Sequence, residues 1–143
     1  MDYHHIGKAK TGQGAVPVTR GVPIGFATAT GTYGILETLG ATTTYPILVE
    51  AIVVIGTAFN GTAAPVLLVE GYDGTNTVSI MGAGDVTEGT VGSYYKATVL
   101  TADTKIRINW TVGTGTPSTG SAWVFIRIAG KGTGKYIDNP LIA

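Results

Sequence analysis

The 143-residue chain has no cysteine. That excludes a disulfide frame, a zinc–thiolate site and a cysteine nucleophile, and it leaves the redox compartment unread. Charge is scarce as well. Only 13% of the residues are charged, about half the usual ~25%. Lys and Arg together number 9, as do Asp and Glu, so the net charge is zero. A neutral chain has no long-range attraction for phosphate, so no nucleic-acid partner is expected. Long apolar runs are missing too. The longest spans 47–55 and is broken by Glu50. It is far short of the ~20 residues of a membrane helix, so no membrane partner is expected. The first residues, Met1-Asp2-Tyr3-His4-His5, lack a basic stretch leading into an apolar core. No secretory leader is therefore expected. Helix signals are nearly absent, because Gly, Pro or clustered Thr interrupts the windows in which apolar residues could recur at three and four.

What is present is 44% hydrophobic residues, 22 Gly and 23 Thr. Good apolar content at low charge excludes a disordered chain. The shortage of Glu, Lys and Leu excludes a coiled coil. A chain of this length buries roughly 68% of its unfolded surface and sustains one core without metal or disulfide help. The expectation is a soluble, β-rich single domain.

Strand patterns are abundant. Residues 105–112 alternate without a fault, placing Ile106, Ile108, Trp110 and Val112 on one face. Ala122, Val124, Ile126 and Ile128 form a second apolar series, with Trp123, Phe125 and Arg127 opposite. The linker at 113–120 is rich in Gly, Thr, Ser and Pro, and the two segments read as an antiparallel pair joined by a mobile loop. Residues 46–55 are apolar on both faces apart from Glu50. That suits a central strand covered on both sides, or one that also meets a partner chain. Pro65-Val66-Leu67-Leu68-Val69-Glu70 echoes Pro46-Ile47-Leu48-Val49-Glu50, and the echo reads as two similar strands. Segments 75–80 and 94–100 add two more, and 22–28 and 33–39 are weaker. About eight strands at short spacing mark an antiparallel sandwich or barrel. Asp73-Gly74 is the best tight-turn dipeptide.

The ends differ from the middle. The expected organisation is an N-terminal arm at 1–21, a β domain at 22–129 and a C-terminal arm at 130–143. Charge is uneven along the chain: +2 over 1–34, −6 over 35–95 and +4 over 96–143. Either the strands meet in the fold and cancel locally, or the basic ends bind an acidic neighbour or another copy.

Signatures of catalysis fail on inspection. The segment 130–136, Gly-Lys-Gly-Thr-Gly-Lys-Tyr, is one residue short of a phosphate loop and has Tyr136 where a hydroxyl residue must follow the lysine. A Ser/His/acid triad or a metal site would have to use His4 or His5, the only histidines, in an arm that offers no rigid frame. Glu50 and Glu70 are the only carboxylate pair suited to glycoside hydrolysis. A strand glutamate paired with Arg107 or Arg127 is the commoner use. Asp73-Gly74-Thr75-Asn76 lacks the oxygens of a calcium site. No catalytic residue, no metal and no cofactor is therefore expected, and the chain is not expected to be an enzyme. The aromatics are the other lead. Trp123 and Phe125 form a sticky patch if their face is exposed, suited to a sugar or a protein partner, and belong to the core if it is covered.

Several runs together carry a resemblance. They are 39–44 (Leu-Gly-Ala-Thr-Thr-Thr), 49–54 (Val-Glu-Ala-Ile-Val-Val), 57–64 (Thr-Ala-Phe-Asn-Gly-Thr-Ala-Ala), 69–75 (Val-Glu-Gly-Tyr-Asp-Gly-Thr), 83–91 (Ala-Gly-Asp-Val-Thr-Glu-Gly-Thr-Val) and the final strand ending at 124–128 (Val-Phe-Ile-Arg-Ile). Their order, over roughly residues 35–130, resembles the jelly-roll cement (decoration) proteins on the outside of tailed-bacteriophage capsids. The resemblance implies an all-β, jelly-roll-like antiparallel sandwich on the outer surface of the virion, made in the host cytoplasm. It also implies two partners: the major capsid protein, and the chain itself as a homodimer or homotrimer. The shared patterns are turns and strands, so no functional residues carry over. Partner contacts are expected from the arms, through Tyr3, Lys8, Lys10, Arg20, Lys131, Lys135, Tyr136, Leu141 and Ile142, and from Trp123 and Phe125. The alternative is a carbohydrate-binding or receptor-binding module of a virion fibre, with Trp123, Tyr94 and Tyr95 as a stacking platform.

Overall fold

The computed structural model describes residues 21–36, 46–102 and 105–131. They form eight strands: β1 (Val22–Gly25), β2 (Gly31–Leu36), β3 (Ile47–Thr57), β4 (Val66–Tyr72), β5 (Thr77–Met81), β6 (Gly92–Leu100), β7 (Lys105–Thr111) and β8 (Ser121–Lys131). No helix occurs among the described residues. One four-stranded sheet has the order β1-β8-β3-β6 and the other β2-β7-β4-β5. All pairings are antiparallel. β1 pairs with β8, β2 with β7, β3 with β6 and β4 with β5. The chain is thus a long hairpin rolled up, and the β3–β8 and β4–β7 pairs knit its turns into two sheets. This wrapping defines the eight-stranded jelly roll among β-sandwiches.

The alternating strands behave as their period requires. Ile106, Ile108 and Trp110 of β7 and Ala122, Val124 and Ile126 of β8 are buried. They meet Val49, Ala51 and Val53 of β3 and Leu67 and Val69 of β4 in one cluster between the sheets. Val112 and Ile128 pack at its margin. Trp110 stacks obliquely on Phe59 with ring centroids 5.1 Å apart. Its indole N–H donates to the Thr28 carbonyl at 3.1 Å, which satisfies the one polar atom the ring carries into the core. In β5 the pairing with β4 shifts between Val69 and Glu70. The extra residue lets neighbouring Ile80 and Met81 both be buried, which an unbroken period of two forbids.

β7 and β8 do not pair with each other; they lie in different sheets. Alternation shows which side chains need the core, and two strands facing each other across it satisfy that need as well as two strands side by side. The linker 113–120 is the crossing between layers, and it is held in place. Thr62 N–H donates to Thr114 O at 2.8 Å, and Thr114 N–H donates to Ala63 O at 3.2 Å. The Asn60 side-chain carbonyl accepts the N–H groups of Ser118 at 2.8 Å and Thr119 at 3.0 Å. The 73–74 turn does form, between β4 and β5. There the Asp73 carboxylate accepts the N–H groups of Thr75 and Asn76, and these bonds hold its pKa below the usual aspartate value. β8 runs on to Lys131, so the backbones of Gly130 and Lys131 pair with β3 beyond the boundary expected at 129.

Candidate outer-sheet interaction face

Each sheet turns one face to the core and one outward, and the two outward faces differ in chemistry. On the second sheet the outer rows, read from the register, are Thr32–Asn109–Leu68, Gly34–Arg107–Glu70–Ser79 and Lys105–Tyr72–Thr77. Arg107 Nε donates to Glu70 Oε1 at 2.8 Å. The guanidinium carbon also lies 3.9 Å from the centre of the Tyr72 ring, and Lys105 Nζ lies 5.5 Å from it. A small depression here is lined by Thr32, Gly34, Lys105, Ile106 and Arg107. Apart from half-buried Leu68 and Val66, the latter opposite Thr111, this face is polar and its charges are largely matched.

The first sheet presents four rows outward: Pro23–Trp123–Val54–Ser93, Phe125–Ile52–Tyr95, Arg127–Glu50–Ala97 and Gly130–Leu48–Val99. Most of these residues are apolar. Tyr95 is 60% exposed, Val99 54%, Trp123 41% and Leu48 38%, while Ile52, Val54 and Phe125 are half-buried. β3 is therefore a central strand, as expected, but nothing among the described residues covers its outer side. The aromatic rings do not stand free of the sheet. A Cβ on Gly56 would come within 2.8 Å of the Trp123 ring, and one on Gly21 within 2.8 Å of the Phe125 ring. Glycine at these two places lets the rings lie against the neighbouring backbone.

One polar cluster crosses this face. Glu50 is only 7% exposed, because Arg127 and Tyr95 lie on either side of it. Arg127 Nε donates to Glu50 Oε2, and the Tyr95 hydroxyl donates to Glu50 Oε1 at 2.5 Å. The Arg127 bond, then the Tyr95 bond, hold the Glu50 carboxyl below the usual glutamate range, against the opposing effect of burial. The same bond raises the Tyr95 phenol above its ordinary value, with desolvation adding to the rise. The separate bond from Arg127 to Glu50, with the attraction of the carboxylate, makes the Arg127 guanidinium harder still to deprotonate.

Trp123 and Phe125 come together on this face as the sequence pattern implies. Tyr94 does not join Tyr95 and Trp123. As the neighbour of Tyr95 in β6 it faces the other way, packs against the core and donates its hydroxyl to the carbonyls of Thr87 and Thr90. A three-ring platform is thus not formed. Glu50 and Glu70 lie on the outer faces of opposite sheets, so they cannot flank one glycosidic bond. Both take the commoner use, with Arg127 and Arg107 respectively. Lys96 likewise pairs with Asp85 at 3.0 Å, so much of the charge asymmetry along the chain cancels within the fold. Tyr3, Lys8, Lys10, Arg20, Lys135, Tyr136, Leu141 and Ile142 lie outside the described residues, as do His4 and His5, and of Lys131 only the backbone is placed. Among the described residues no cluster of three or more His, Asp or Glu could hold a metal ion. Glu50, now central to the face, carried no partner expectation in the sequence, and Tyr95 carried one only as a member of the stacking platform of the fibre-module alternative. The available signal was the placement of Tyr95, Glu50 and Arg127 at outward positions of three strands, which becomes one site only once their neighbours are known.

An eight-stranded jelly-roll sandwich with one apolar and one polar outer face is the class of molecule this geometry defines. No protein-family model and no curated protein sequence matches the chain. Among solved structures, it is similar to a chain in the structure of infectious bursal disease virus, Gx strain. The two share 13% identity and superpose with a TM-score of 0.41 over 82% of this chain. This chain spans about a third of that one, 32%.

Proposed function

We propose that the chain is a structural virion protein that binds the outside of a phage capsid, bridges major capsid subunits and stabilises the shell. One observation supports a binding role above all. The outer face of the first sheet exposes Trp123, Tyr95, Val99 and Leu48 together, while the second sheet's outer face is polar. A mostly apolar face on one side of a small sandwich, crossed only by a self-paired Glu50–Arg127 row, is a surface to be covered. The ordered runs that resemble phage cement proteins, and the jelly-roll wrapping that accords with them, give the virion context. On this reading the chain is not an enzyme. It stabilises by mass action, because it binds the assembled shell and not the loose subunit. Many modest contacts repeated over a particle then resist its expansion. The arms, through Lys8, Lys10, Arg20 and Lys135, extend the contact to carboxylates on neighbouring subunits. The test is sedimentation of purified particles. The protein is expected at a fixed ratio to the shell protein, and particles without it are expected to lose their contents at lower temperature. Its absence from washed particles overturns the reading.

The fibre-module alternative keeps one observation on its side, the exposure of Trp123 and Tyr95 on a common face. Binding of a soluble oligosaccharide that protects Trp123 from quenching would favour it over a capsid cement.

A further inference from the structure

We infer that the outer face of the second sheet carries an anion site beside Arg107, fitted to the single carboxylate of an acidic sugar. A missing side chain is the first argument. Gly34 of β2 lies directly opposite Arg107 of β7, which lies directly opposite Glu70 of β4. Paired positions hold their Cβ atoms about 5 Å apart, so a side chain at 34 would fill the space next to the guanidinium. Gly34 takes no positive φ, so the backbone there does not call for glycine. A glycine inside a strand weakens it and often marks a place that another group approaches closely. The pairing also shifts between Gly34 and Leu36, an irregularity of the kind that re-aims side chains beside sites. The space left open is a depression of about 140 Å³ lined by Thr32, Gly34, Lys105, Ile106 and Arg107. It is well below the ~300–1,000 Å³ of a drug-sized pocket and suits one carboxylate with the carbons next to it.

Charge is the second argument. The Arg107 guanidinium is held before any ligand arrives, by Glu70 at its Nε, 2.8 Å away, and by the Tyr72 ring, whose centre lies 3.9 Å from its carbon. With Nε engaged, the two terminal nitrogens remain, and that end of the fork matches the two oxygens of a carboxylate. Lys105 occupies the next outward position of β7 and has no ion-pair partner among the described residues. Lys105 and Arg107 against Glu70 leave a charge of +1 on this face, which a monoanion neutralises. A phosphate monoester brings nearly two negative charges, and Glu70 repels the second. The cations are confined to this one place. The neighbouring outward row, Thr32–Asn109–Leu68, supplies a hydroxyl and an amide, groups that pair with sugar hydroxyls and not with the further carboxylates of an acidic peptide.

The site lies on the sheet opposite the face given to the shell. Titration of the free chain and sedimentation of particles therefore succeed or fail separately. The test is calorimetric and NMR titration of the full chain with D-glucuronate at low salt. Expected is saturable binding at one site, weakened by added salt, with amide shifts centred on Thr32, Gly34, Lys105 and Arg107. Glucose and glucose phosphate are expected to bind at least about tenfold more weakly. Gly34→Val fills the depression and keeps both cations, and strands accept valine readily; it is expected to abolish binding. Lys105→Gln is a second variant, expected to weaken binding about tenfold or more. Trp123→Phe, on the other sheet, is expected to leave it unchanged. Absence of saturable binding overturns the inference, including the case in which the chain's own Glu37 or Asp103, which lie outside the described residues, fills the site. Equal binding of glucose or glucose phosphate overturns it, as does tighter binding of an oligo-aspartate peptide. Binding that survives both Gly34→Val and Lys105→Gln, or that Trp123→Phe removes, also overturns it.

Discussion

Glu50 and Arg127 stand directly opposite each other across β3 and β8 and form an ion pair on the outer face of one sheet. Glu70 and Arg107 hold the same relation across β4 and β7 on the other. The echo between 46–50 and 65–70 therefore has a structural meaning. Each copy supplies a central strand of alternating inward apolar residues with one outward glutamate, and a later strand of the opposite hairpin arm supplies the arginine. Opposed charges at directly paired positions favour one register over a slip of one residue, which would turn the slipped strand's charge toward the core and leave its partner unpaired.

Stability is expected to fall in acid partly through Glu50. The hydrogen bonds from Arg127 and Tyr95 hold its folded pKa below the ordinary glutamate value. A lowered carboxyl contributes stability that is present above the unfolded value and is lost as pH falls through the folded one. Thermal melts of Glu50→Gln are expected to start lower at neutral pH and then lose less on acidification below about pH 4.5. The lowered carboxyls of Asp73 and Asp85 remain in both proteins, so the difference isolates Glu50. Parallel acid profiles would refute the assignment.

Tyr95 gives the complementary signature in base. Its folded pKa, raised by the bond to Glu50, contributes stability that is present below the ordinary tyrosine value and is lost as pH rises through the folded one. A phenolate absorbance titration, taken as the difference from Tyr95→Phe, is expected to shift to lower pH in Glu50→Gln. An unmoved titration would mean that the hydrogen bond does not form in solution.

Ile108 is fully buried between the sheets. Ile108→Ala is expected to cost ~2–5 kcal/mol in denaturant unfolding, from lost apolar transfer and the cavity left behind. A cost below ~1 kcal/mol would place the residue outside a packed core.

Glu88 is a buried carboxylate whose Oε1 accepts the Leu67 N–H at 2.9 Å, near the start of β4. Glu88→Ala leaves that buried donor unpaired and is expected to cost ~1–3 kcal/mol. Glu88→Gln keeps an acceptor oxygen and is expected to recover most of it. Equal losses in both variants would show that the charge, not the hydrogen bond, matters.

Deleting residues 1–14 is expected to leave the melting temperature of the free protein nearly unchanged and to lower its occupancy on capsids. A deletion that unfolds the free protein would make this segment part of the domain and remove its clamping role.

The sequence by itself determined the strands and their inward faces. A period of two in 105–112 and 121–128, with turn residues between apolar runs, dictates extended segments and names Ile106, Ile108, Trp110, Val124 and Ile126 as core. Those are local facts, set by the alternation of side chains along an extended backbone. Which strands lie side by side is not local. The β7–β8 connection crosses between layers instead of forming a hairpin, because the hydrophobic pattern is satisfied equally within a sheet or across the core. Only the rolled topology decides that Trp123, Tyr95, Leu48 and Val99, drawn from β8, β6 and β3, share one outer face. Only it brings Glu50 between Arg127 and Tyr95, since pairings between residues as far as 77 positions apart depend on how the whole chain closes around its core.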